Sequence, residues 1–123
     1  MSRLMTLMLT GDSAPENLRL LSSRKLDHLA AHGATPALRT AAAELAVLAR
    51  TAADRAETDP TGWGRPESGT PLARLQAAVL YAILPAEEAW WHSRQDQPNP
   101  EYLRRCQERT AHQLELARTA LGH

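Results

Sequence analysis

Four pairings of a small polar residue with a proline, at once or one place later, stand out along this chain: Ser13-Ala14-Pro15, Thr35-Pro36, Thr70-Pro71 and Asn99-Pro100. Each pairing predicts the start of a helix. A serine, threonine or asparagine side chain accepts a hydrogen bond from the orphan N–H groups of a first helical turn, and a proline there sacrifices no bond because its position had none to make. With no strand pattern between them, the expected fold is all-α, a four-helix bundle.

The stops are equally legible. The first helix is expected over 14–32, opened by a capping box of Ser13 and Glu16 and stopped by Gly33. Only Gly33, Ala34 and Thr35 separate it from the second, 36–57, so the two form an antiparallel hairpin. A third helix, 71–93, carries Pro85 inside it, which predicts a bend near Tyr81 to Leu84 or, as the alternative, a break. A short turn at 94–98 leads to the fourth helix, 100–121, closed by Gly122, which makes the second hairpin. The Pro- and Gly-rich stretch 58–70 is the one long loop. Extended, it could reach about 40 Å, more than the roughly 33 Å length of a 22-residue helix, so the third helix could begin at either end of the bundle.

At 123 residues the chain suits one domain with a core of its own, expected over 13–123 behind an apolar N-terminal segment, 1–12. Lys and Arg total 14 and balance 14 Asp and Glu, so no overall field draws the protein toward a polyanion or an anionic membrane. Lys25 is the sole lysine and phenylalanine is absent, a bias suited to a GC-rich bacterial genome. The single cysteine, Cys106, allows neither an internal disulfide nor a cysteine-built zinc site, and the expected compartment is the cytoplasm. The apolar run in Arg3 to Leu9 is too short to span a bilayer and has no cleavage-site pattern.

At about 100° per residue, the second helix shows a shallow stripe of Leu38, Ala42, Leu45, Ala49, Ala52 and Ala56, suited to close approach by a neighbour. The third turns Leu72, Leu75, Val79, Ala82, Ile83, Ala86 and Trp90 to one side. A second row, Ala73, Ala77, Leu80, Leu84 and Trp91, lies a quarter turn away. So broad an apolar surface implies a central helix or one docked on another chain, with Met5, Met8 and Leu9 or the Trp63 loop as the alternative cover. The fourth helix points Leu103, Cys106, Thr110, Leu114, Ala117 and Leu121 inward and leaves Leu116 outside among Arg105, Arg109 and His112. On the first helix Leu18, Leu21, Leu26 and Leu29 face the core, yet Ser22, Lys25 and His32 fall in the same arc and suggest a polar opening.

Chemistry is sparse. His28 and His32 stand one turn apart, as two ligands of a shared metal would, and need a third from elsewhere, such as His92. No Glu-x-x-His pair of a di-iron bundle occurs. Arg105 and His112 are spaced in a way that resembles the Arg-x(4–6)-His motif of the HEPN family, helical RNases whose active site joins arginine and histidine from paired protomers. The resemblance implies those two as catalytic residues, although Arg118 and His123 satisfy the same spacing. Glu87 and Glu88 are adjacent and diverge, which does not suit paired acid and base work. No cofactor motif is present.

The expected function is therefore a non-enzymatic helical protein–protein interaction or regulatory protein, self-associating as a homodimer or serving as a small subunit of an assembly. Its interface candidates are Leu80, Leu84, Trp91, Trp63 and Leu116, because interfaces favour exposed aromatic and apolar anchors. Alternatives are a nucleic-acid-associated subunit of a ribonucleoprotein complex using Arg104, Arg105 and Arg109, a HEPN-like RNase, or a metal-binding bundle. No membrane partner is expected.

Overall fold

The computed structural model describes residues 14–65, 67 and 69–122. Ser13, the 1–12 segment with Met5, Met8 and Leu9, and His123 lie outside the described residues. Four helices and no strand are found among those described, an all-α bundle. Helix α1 covers 14–32, α2 is Pro36–Thr58, α3 is Pro71–Ser93 and α4 is Pro100–Leu121.

Three of the proline-marked starts have the expected cap. Thr35, with extended backbone, accepts from Leu38 N–H at 3.1 Å, Thr70 from Ala73 N–H at 3.3 Å, and Asn99 from Glu101 and Tyr102 N–H at 2.9 and 3.3 Å. Gly122 ends α4 in the left-handed conformation, φ 94°. Gly33 stops α1 by another means. Its φ is −55° and its ψ 155°; glycine is required because a Cβ would sit 2.6 Å from Leu29 O. Helix α3 runs unbroken through Pro85, so the break considered from sequence does not occur.

Helix α1 is not uniform. Ala14–Leu21 and Asp27–His32 are α-helical, but Ser22–Leu26 forms a π-helical turn in which Asp27 N–H bonds to Ser22 O, five residues back. Leu21 and Leu26 are five apart, which a regular α-helix would place about 140° from each other. The widened turn brings both into the core, each 1 % exposed. It also removes the polar opening expected in this arc. Ser22 is buried with its hydroxyl donating to Ala46 O, Lys25 reaches the rim to meet Glu87 Oε2 at 3.0 Å, and His32 is exposed.

The cross-helix pairs set the direction of every helix. Arg19 meets Asp54 and Glu57 while Asp27 meets Arg50, so α1 and α2 are antiparallel. Thr35 bonds to Gln107 and Glu44 to Arg118, so α2 and α4 are parallel. Lys25–Glu87 and the ring contact of His28 with Trp90 make α1 and α3 parallel. It follows that α3 starts at the end where α2 stops, and the chain runs up, down, up, down. These half-exposed pairs contribute little stability individually. The hydrogen bond from Arg19 holds the Glu57 carboxyl below its ordinary range, so what that pair adds is present above the carboxylate range and lost on acidification.

Helix α2 is the inner member. It packs on α1, α3 and α4, and α3 also touches α1, so α1 and α4 occupy opposite corners. The expected stripe is buried throughout, and so are Ala41, Ala46, Leu48 and Ala53 outside it. Alanines on several sides let three neighbours approach its backbone at once. The loop joins α2 to α3 across the base. Asp59 accepts from Gly62 and Trp63 N–H, each at 3.0 Å, and Gly64 packs where a Cβ would meet Asp59 O at 2.6 Å and Ala56 O at 2.7 Å. This folds Trp63 back against the core beneath Arg55, whose guanidinium carbon lies 4.5 Å from the ring centroid.

Candidate functional site

Of the large hydrophobic side chains left exposed among the described residues, Val47 and Trp91 stand apart and three gather on one side of the α3–α4 hairpin. Tyr81 is 52 % exposed, Leu84 40 % and Leu116 45 %. They border a groove between the two helices, made of two adjoining hollows of about 510 and 480 Å³ that share Tyr81 and Gln113. The upper hollow is walled by Leu84, Glu88, Arg105, Arg109 and His112. The lower has a shallow alanine floor, Ala77, Ala78 and Ala120, with Leu116 and Arg74 beside it.

The groove exists because α3 and α4 diverge in residue size on this side. Of the positions expected inward on α4, Cys106, Thr110, Leu114, Ala117 and Leu121 are buried while Leu103 is only half-buried against the core, and Thr110 Oγ1 reaches Ala82 O. In the lower hollow the α3 positions beside Arg74 and Tyr81 are Ala77 and Ala78, too small to fill the space between the helices. Tyr81 stands where the two hollows meet.

Its charges are mixed. Arg104 is held by Glu101 and Glu108, and Arg105 Nε lies 3.6 Å from Glu101 Oε1. Those contacts, Arg104 first, hold Glu101 below the usual carboxylate range. The Arg109 and Arg74 side chains have no hydrogen bond or ion pair among the described residues. Glu88 Oε2 accepts from the Tyr102 hydroxyl at 2.9 Å, a bond that pushes the Tyr102 phenol up to about 12. Replacing Glu88 by glutamine should bring the Tyr102 titration back toward 10.0, read as phenolate absorbance against the Tyr102→Phe variant. A raised phenol pKa favours the folded state below its ordinary value, and that contribution fades as pH rises toward about 12. Behind this wall Cys106 is buried, and desolvation pushes its thiol up, leaving it a small core hydrophobe.

The residues singled out from sequence separate into distinct places. Leu84 and Leu116 belong to the groove, as do Arg105, Arg109 and His112. Leu80 is only 4 % exposed, although it was expected in the surface row. Trp63 plugs the bundle base. Trp91, 64 % exposed, lies beyond the groove and stacks edge-on against Trp90. Trp90 was expected in the core but is half-buried, between His28 and the Arg94 guanidinium. His28 and His32 have ring centroids 4.9 Å apart. Among the described residues, no group of three or more His, Cys, Asp or Glu is placed to hold a metal. Asp27 is paired with Arg50, and His92 Nε2 accepts from Asn99 N–H at 2.7 Å.

Sequence reasoning missed Tyr81, Arg74 and Gln113. Tyr81 was read only as part of the proline bend; its spacing of seven residues from both Arg74 and Glu88 was the available signal. The chain matches no family model, no curated protein and no solved structure.

Proposed function

We propose that this is a non-enzymatic helical interaction protein that docks a protein surface in the α3–α4 groove, as a homodimer or as a small subunit of an assembly in the cytoplasm. The observation that carries this reading is the exposure of Tyr81, Leu84 and Leu116 along one continuous groove. Aromatic and aliphatic anchors beside shallow hollows are the arrangement that fills well on association and excludes water. Glu88 and Glu108 stand among Arg105, Arg109 and His112, and so mixed a rim suits a protein partner better than a phosphate backbone. No helix among the described residues is long and apolar enough to cross a membrane, which accords with a partner met in water.

Leu84→Glu and Leu116→Glu test the reading, because both sites are exposed and tolerate charge in the monomer. Light scattering at micromolar concentration and mass analysis of the protein purified from its own cells should show a dimer or a bound partner that either variant loses. A monomer without partner, the same in wild type and variants, would remove the basis for it.

A further inference from the structure

We propose that the occupant of the groove is a second copy of this chain, with the two α3 helices antiparallel about a two-fold axis that passes at Tyr81. This rests on the reading of the groove as a docking surface and adds its partner and register. Arg74 and Glu88 each lie seven residues from Tyr81, one before it and one after. Seven residues fall about 20° short of two helical turns, so both charges share the Tyr81 face, about 10 Å from it along the axis in opposite directions. A two-fold axis at Tyr81 carries Arg74 of each copy to the level of Glu88 of the other. One contact thereby forms two identical ion pairs, as an isologous interface requires.

Both charges are available. Arg74 is exposed and has no ion pair among the described residues. Glu88 is exposed, and its described side-chain bond, from Tyr102, uses Oε2. A parallel arrangement would set Arg74 against Arg74 and Glu88 against Glu88, which like-charge repulsion disfavours.

The same operation matches large residues to small ones. Tyr81 is midway between Ala78 and Leu84, and between Ala77 and Pro85. Leu84 of each copy is thus brought over the alanine floor of the lower hollow of the other, whose 480 Å³ is walled by Leu116. Both copies bury the groove while using only residues of α3 and α4.

The test is a charge swap read by sedimentation equilibrium. Arg74→Glu and Glu88→Arg should each weaken the dimer by about tenfold in Kd or more, since each places like charges together twice, and the double variant should return to within about threefold of wild type. Tyr102→Phe, which removes the hydrogen bond to Glu88 but keeps its charge, should leave the dimer within that same margin. A dimer indifferent to both single reversals but dissociated by Leu84→Glu would overturn this register and leave the docking groove standing. A monomeric wild type that carries a different partner lost in Leu84→Glu would overturn the second copy as occupant. A monomer with no partner in any variant would overturn both.

Discussion

Ile83→Ala should destabilise the protein by about 2–5 kcal/mol. Ile83 is fully buried in the core on α3, a helix that packs on both α2 and its hairpin partner α4. Removing its branched side chain forfeits the transfer energy of three carbons, and the cavity cannot close easily because α3 is held on several sides. Against a total stability of about 5–15 kcal/mol for a domain of this class, the loss is large. Urea unfolding followed by circular dichroism measures it as a fall in midpoint at constant slope. A loss under about 1 kcal/mol would mean that this side of α3 is not packed against its neighbours as described.

Ala49→Leu acts in the opposite sense and still destabilises, by about 1–3 kcal/mol. Ala49 has no exposed surface and lies on the side of α2 that its neighbours approach closely. Three added carbons must push those backbones apart or adopt a strained rotamer. Ala43→Leu, the same chemical change on an exposed position of the same helix, should stay within about 0.5 kcal/mol of wild type. The contrast is the useful quantity, since leucine and alanine differ little in helix propensity. Equal effects at the two positions would show that α2 has room on its inner side and is not the tightly enclosed helix.

The helix starts were readable because capping is local: Thr35, Thr70 and Asn99 bond to amides two or three residues away, and proline acts on its own turn. The hairpins followed from loops too short to do otherwise. The central place of α2 was not readable, because alanine is only weakly apolar and Ala41, Ala46 and Ala53 give no contrast with exposed alanines such as Ala43. The π-helical turn at Ser22–Leu26 is not legible in the sequence, because a regular 100° step holds only until the helix widens to keep Leu21 and Leu26 on one side. Of the candidate site, Leu84 and Leu116 were found as apolar residues on outer faces. Leu80 was misplaced because adjacent positions on a helix with so broad an apolar surface differ in burial only through what packs on them.

The sequence by itself determined that four helices form, where three of them start, and that short turns pair them into two hairpins, since all of this is decided within a few residues. Only the tertiary structure decided that α3 starts where α2 ends, that α1 and α4 stand at opposite corners, and that Tyr81, Leu84 and Leu116 share one groove. A loop of the length of 58–70 permits either end of the bundle, so the choice falls to packing between residues far apart in the chain, and pairs such as Lys25 with Glu87 and Glu44 with Arg118 show the outcome. The four proline-marked starts define rods, and long-range packing decides which sides of those rods remain open.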